Sequence, residues 1–358
     1  MSNVIKLTVP FRRQGAAARR AALIASFAQH RRLQDDVFWL KENAELLNIL
    51  ECTGASLDDD TLSPLQEFYD RLESRLGFFP QYYRFLLSIC LDLEDLGLRG
   101  NKSEALVRWV AREGLAEAEL SDLQRLEARR LMLRRGIDPL PGDGGLVDRV
   151  HRFIERPETF AMPNKKAAYE LTHIVFYLSE YGRRDPQLSP AAMISLEYAG
   201  ILAYLEQNSD LLAEVCIALR HAGAEPPAIW EDWIARQVGL FEISAGVRAV
   251  NPDDYHDYFV CNWMLETSGR GGFRKAAVAD RMAFSRPAPA TGPLRAMSEC
   301  LFRLNDARSD DWDTMRPLVA DMLSETGQDV LEQVERSSDR FAEFFAGFAR
   351  VGLHGPRP

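Results

Sequence analysis

The sequence predicts an all-α protein of antiparallel helix pairs, arranged as an α/α toroid or a short helical solenoid. Three observations carry that expectation. Apolar residues recur at helical spacing along nearly the whole chain. Glycines stand where successive periodic segments stop, at Gly54, Gly97, Gly136, Gly182, Gly223 and Gly269. A multi-helix pattern also occurs twice in similar form.

The elements follow in order. A tail is expected over residues 1–15, bounded by Pro10 and Gly15. Helices are expected near 16–32, 36–53, 62–76, 80–96, 103–113, 117–135 and 146–155. A second set is expected near 164–181, 189–207, 209–222, 227–244 and 253–267, and a third near 274–283, 293–306, 312–324 and 327–351. Ser63-Pro64, Ser189-Pro190 and Asn251-Pro252 read as N-caps followed by proline in the first turn. No convincing strand emerges. Residues 16–352 are expected to form one body, with sub-boundaries near 138–145 and 285–293 and a short tail at 353–358.

The repeat aligns Gly97 with Gly182 and sets residues 85–96 over residues 170–181. Each copy ends a helix on an acidic residue, a large apolar residue and glycine. Each continues through a short basic loop and an apolar helix to a helix closed by basic residues and glycine, at Gly136 and Gly223.

Composition narrows the function classes. The chain has 358 residues, 46% of them hydrophobic, so it can bury a large core. Its net charge of −10 argues against non-specific nucleic-acid binding. Arg125, Arg129, Arg130, Arg134 and Arg135 spread around one helix and read as a solvated, acid-paired surface. The apolar runs 85–90 and 174–178 are too short to span a bilayer, and the N-terminal arginines precede no apolar signal segment. Cys52, Cys90, Cys216, Cys261 and Cys300 lie far apart, which suggests reduced thiols and a cytoplasmic protein.

The segment 169–182 holds the main candidate site. Glu170, His173 and Tyr177 share a helical face, as acid/base groups or metal ligands would. Tyr169 is placed to orient the imidazole. The matching position in the other repeat is Ser88, so the repeat's packing does not itself demand a histidine. The alternative is a partly buried structural histidine. This Tyr-Glu-Leu-Thr-His segment resembles a signature of uncharacterised all-helical bacterial proteins that are themselves similar to α/α toroids. The resemblance implies such a fold and directs attention to Glu170, Thr172, His173 and Tyr177, with no activity attached.

Other motifs have a competing capping explanation. Asn251-Pro252-Asp253-Asp254-Tyr255-His256-Asp257 reads as a metal loop or, preferably, a helix start. Asn305, Ser309 and Asp313 resemble the second magnesium motif of class I terpene synthases, which would imply Mg²⁺ and a diphosphate. Here aspartate replaces the usual glutamate and the upstream aspartate-rich motif is missing, and a cap explains the same residues. Asp58, Asp59 and Asp60 serve a helix start in the same way. The stripe Phe341, Phe344, Phe345 and Phe348 reads as core or an oligomer contact, and Trp230 and Trp233 as one face of a groove.

Three functions follow as expectations. The first is a helical binding or accessory protein offering a cavity or groove to a small molecule, peptide or protein partner. The second is an enzyme using a cavity of Glu170, His173 and Tyr177. The third is a magnesium-dependent isoprenoid-diphosphate enzyme. The sequence names no cofactor or metal and leaves oligomerisation open.

Overall fold

The computed structural model describes residues 14–58, 60–247, 249–250, 253–288 and 291–351. The expected tails therefore lie almost wholly outside the described residues, as do Asp59 and the Asn251-Pro252 cap. The first helices are α1 (Ala16–Ala25), α2 (Val37–Cys52), α3 (Gln66–Asp70), α4 (Leu72–Phe78), α5 (Tyr83–Asp95), α6 (Lys102–Arg112) and α7 (Asp122–Leu133). Next come α8 (Leu146–Ile154), α9 (Pro157–Phe160), α10 (Lys165–Leu178), α11 (Pro190–Glu206), α12 (Ser209–His221), α13 (Ala228–Leu240) and α14 (Tyr255–Thr267). The last are α15 (Leu294–Leu304), α16 (Trp312–Ala320), α17 (Glu325–Ser337) and α18 (Phe341–Ala349).

Local chemistry sets the helix ends. The side chains of Asp36, Asn164, Ser189 and Asn208 accept from backbone N–H groups in the first turns of α2, α10, α11 and α12. All six glycines expected to stop helices have positive φ, from +64° at Gly54 to +105° at Gly97. Gln207 also turns left-handed, so α12 begins directly behind α11.

Several sequence expectations need correction. Residues 274–283 are not helical. Their end joins β2 (Met282–Ser285), which pairs antiparallel with β1 (Glu242–Ala245), Glu242 opposite Ser285. Helical spacing misled here because Met282, Ala283 and Phe284 are all buried, without strand-like alternation. Strand β1 also takes the end of the expected 227–244 helix. The expected 327–351 helix is broken at Ser338, whose hydroxyl accepts from the Arg340 N–H. Arg130 is buried and the Arg134 side chain is only 9% exposed, so neither is solvated. Arg130 lies over the Tyr181 ring and pairs with Glu180, while Arg134 bridges Asp92 and Asp95. Trp230 and Trp233 line no open groove: both are buried, and the Trp230 indole donates to Ser337. The phenylalanine stripe does lie in the core, around Trp312.

The packing order positions the site. Helix α2 packs on α5, α5 on α7, α7 on α10, α10 on α12, α12 on α14, and α14 on α2. Helices α6, α11 and α13 pack against members of this set, and α15 and α17 pack on α11. Helix α12 is the most enclosed: every residue from Ser209 to Leu219 is buried. Each of its leucines contributes roughly 1.5–3 kcal/mol through removal from water.

Gly200 of α11 lies under the Trp230 indole of α13, where an added Cβ would meet the ring at 2.3 Å. Gly223 has open space but a φ of +79°. We expect Gly200→Val to lower unfolding free energy by about 1–3 kcal/mol through overpacking. Gly223→Ala should cost roughly 1–2 kcal/mol through backbone strain alone. Urea denaturation measures both, and near-ultraviolet circular dichroism should report a disturbed tryptophan only in Gly200→Val. A silent Gly200→Val would refute the close packing.

Candidate functional site

A cavity of about 210 Å³ opens among α2, α5, α7, α10, α12 and α14. Its aromatic wall is Phe85, Phe176, Tyr177, Tyr181 and Trp263. Its polar part includes Glu45 of α2, Ser88 of α5, Glu127 of α7, His173 of α10, Glu214 of α12 and His256 of α14. Asp210, one turn before Glu214 on α12, stands behind His256.

Hydrogen bonds and close ionic contacts fix the carboxylates and imidazoles. The Thr172 hydroxyl donates to Glu214 Oε2 at 2.5 Å, while Glu214 Oε1 faces His173 Nε2 at 3.6 Å. The Tyr169 hydroxyl donates to Asp210 Oδ2 at 2.6 Å. Asp210 Oδ1 is buried, receives no hydrogen bond from the described residues, and lies 3.4 Å from His256 Nε2. His256 Nδ1 meets Glu45 Oε1 at 2.7 Å. Because an ionised carboxylate only accepts, this contact places the proton on Nδ1.

Electrostatics follow from burial and pairing. Burial raises the Glu214 carboxyl, but His173 and the Thr172 hydrogen bond outweigh it and hold the group below the ordinary carboxylate range. Burial lowers the His173 imidazole, and Glu214 reverses the sign, leaving it raised. Burial likewise opposes the charge on His256, yet Glu45, Asp210 and Glu214 together push it up to about 10. Asp210 is pushed up to about 7, first by burial and then by the Glu214 and Asp257 carboxylates, against the pull of His256.

The sequence candidates separate here. His173 and Tyr177 line the cavity together, their rings stacked with centroids 6.0 Å apart. Glu170 does not line it: that carboxylate pairs with Lys166 at 4.0 Å. His173 instead finds its carboxylate on another helix, at Glu214. Tyr169 orients Asp210 rather than the imidazole. Position 88, aligned with His173 in the repeat, also lines the cavity.

Sequence reasoning passed over Glu45, Asp210 and Glu214 and read His256 within a capping string. The available signal was Glu214 inside the apolar run Leu211-Leu212-Ala213-Glu214-Val215-Cys216-Ile217, with Asp210 four residues earlier. Asn305, Ser309 and Asp313 do not share one helix. Asn305 lies in a 3₁₀ turn, Ser309 in a loop and Asp313 in α16, whose cap is Asp311.

Residues 1–351 match the model of a family described as a domain of unknown function, DUF6902. The chain belongs to this family. No curated protein and no solved structure matches the chain. Within this DUF6902 chain, all five cysteines are free and no described helix is long and apolar enough to cross a membrane.

The raised His256 makes stability depend on pH. Its contribution is complete below the ordinary imidazole value of 6.5 and is lost as pH rises towards about 10. We expect the melting temperature of the wild type to fall from pH 7 to pH 10, and His256→Gln to flatten that fall. Parallel curves for the two proteins would show that His256 holds no extra proton in the folded state.

Proposed function

We propose that the protein binds a small molecule in this cavity, and that α2, α5, α7, α10, α12 and α14 close around it as the inner ring of an α/α toroid. The convergence of Glu45, His173, Glu214 and His256, from four helices, on one aromatic-walled cavity carries the reading. A folded chain tolerates several buried ionisable groups together only where they satisfy one another, and such clusters concentrate at functional sites. The cyclic order of helix neighbours and the placement of both Ser88 and His173 on the cavity support the ring and the internal repeat.

The cavity volume of about 210 Å³ favours a compact metabolite over a peptide. Its aromatic wall suits a planar or apolar part of the ligand, and the imidazole–carboxylate end suits a hydrogen-bonding part. Five free cysteines, four of them buried, support residence in a reducing cytoplasm. The isoprenoid reading loses its basis, because its three oxygen ligands do not face one way from one helix.

A second reading is enzymatic. Asp210 Oδ1 lies 3.4 Å from His256 Nε2, and this buried carboxylate facing an imidazole is an arrangement that general acid/base chemistry uses. His173 with Tyr177 would then position the substrate.

Screening a metabolite library by thermal shift, followed by Trp263 fluorescence titration of the hits, tests the binding reading. His173→Ser leaves Glu214 buried without its partner and should lower stability by about 1–3 kcal/mol. The double variant His173→Ser with Glu214→Gln removes the stranded charge and should recover much of that loss. We expect it to remain helical and to bind the hit at least tenfold more weakly. Binding equal to wild type in the folded double variant would refute the site.

A further inference from the structure

The three groups at the inner end of the cavity share a pattern that a hydrogen-bonded structural cluster does not need. Each has one polar atom tied by a neighbour and one polar atom left at the centre. Tyr169 holds Asp210 Oδ2, which leaves Oδ1. Thr172 holds Glu214 Oε2, which leaves Oε1 facing only the His173 imidazole, at 3.6 Å. Glu45 holds His256 Nδ1, which leaves Nε2 facing Asp210 Oδ1, and a metal ion would bind there by displacing the Nε2 proton. One ligand atom from each of Asp210, Glu214 and His256 falls within 4.8 Å of the others.

We propose that Asp210, Glu214 and His256 bind one divalent transition-metal ion of mixed nitrogen and oxygen preference: zinc, iron(II) or manganese(II). A tetrahedral ion with bonds of about 2.1 Å holds its ligand atoms roughly 3.4 Å apart. The separation of Asp210 Oδ1 from His256 Nε2 is 3.4 Å, long for a hydrogen bond and right for two ligands of one ion. Asp210 supplies an independent observation. Only 7% of the residue is exposed, and its Oδ1 receives no hydrogen bond from the described residues. An oxygen so buried is costly without a hydrogen bond, and beyond the His256 imidazole 3.4 Å away a bound cation would complete it.

The surroundings match what a metal centre requires outside its ligands. A carboxylate on the far nitrogen of a ligating histidine fixes the tautomer and raises the basicity of the near nitrogen, and Glu45 stands there. Tyr169 and Thr172 do the corresponding work for the two carboxylates. His173 Nε2, 3.6 Å from Glu214 Oε1, lies beside the centre as a further nitrogen donor, and the cavity leaves room for an exchangeable position. With one imidazole and two carboxylates, the set is too nitrogen-rich for calcium and lacks the thiolates of a structural zinc site.

This proposal rests on the reading of the cavity as the functional site, but its test needs no organic ligand. The full-length protein is stripped with a chelator, dialysed, and titrated with Zn²⁺ and Mn²⁺ by calorimetry. Co²⁺ is added separately to follow its visible absorption. We expect one ion per chain and a Co²⁺ spectrum of nitrogen and oxygen ligation. Asp210→Asn and His256→Gln should weaken binding at least 100-fold, and Tyr169→Phe about tenfold to 100-fold. Glu170→Gln, outside the cavity, should bind as the wild type does. Circular dichroism identifies any variant that fails to fold, and the wild-type Co²⁺ spectrum tests the ligand set without substitutions. Absence of binding for all three ions, or unchanged affinity in folded Asp210→Asn and His256→Gln, overturns the proposal. A chain that binds metabolites but no metal loses this inference alone, whereas one that binds metal but no metabolite loses the small-molecule reading.

Discussion

Burial of the Glu214 carboxylate in the middle of α12 is the constraint on which the arrangement turns. A charged group with apolar residues before and after it cannot be left in a core without partners. The structure answers with groups from α10: a hydroxyl from Thr172 and an imidazole from His173. Helices α10 and α12 must therefore meet in one register, and a shift of either by a single turn would strand both charges. The same logic extends outward, since Asp210 draws in Tyr169 and His256, and His256 draws in Glu45 of α2. The two acids of α12 thus link α2, α10, α12 and α14 through directional contacts, while the aromatic wall supplies non-directional cohesion.

The buried arginines play a parallel part outside the cavity. Arg134 ties α7 to Asp92 and Asp95 at the end of α5, and Arg130 covers the Tyr181 ring beside the cavity wall. Arg31 joins Glu42 of α2 to Asp253 just before α14. Each ion pair connects neighbouring members of the helix set near the ends of those helices, so polar contacts fix the relative positions that leucine packing alone would leave adjustable. That division of labour agrees with the wider pattern in which buried ionic contacts contribute specificity as much as stability.

Much of the fold was legible because its punctuation is local. Gly54, Gly97, Gly136, Gly182, Gly223 and Gly269 announce helix ends through a conformation that favours glycine. The two-stranded sheet of β1 and β2 was hidden, since Met282, Ala283 and Phe284 are all buried and no alternation survives in the sequence. The site was half legible. His173 stood out because Ser88 replaces it in the repeat, and Tyr177 followed from helical spacing. Glu170 had the same spacing, yet helix α10 turns that carboxylate away towards Lys166. The partners His173 does meet lie on α12 and beyond, and no local period reports a contact between residues 173 and 214. Placing a histidine on a helix face is a short-range problem; naming its carboxylate requires the tertiary packing.

The complete enclosure of α12 has a consequence for the motions open to the cavity. A helix buried from residue 209 to residue 219 cannot unwind there without exposing its neighbours, so we expect those amide hydrogens to exchange with solvent only on global opening. Asp210 and Glu214 ride on that helix and inherit its rigidity. The polar end of the cavity is thus preorganised: a ligand of the proposed kind would meet donors and acceptors already in place, and would lose little binding free energy to ordering the protein. Adjustment during entry falls to the less enclosed side chains at the aromatic end, above all Phe85 and Tyr181, which are only partly buried.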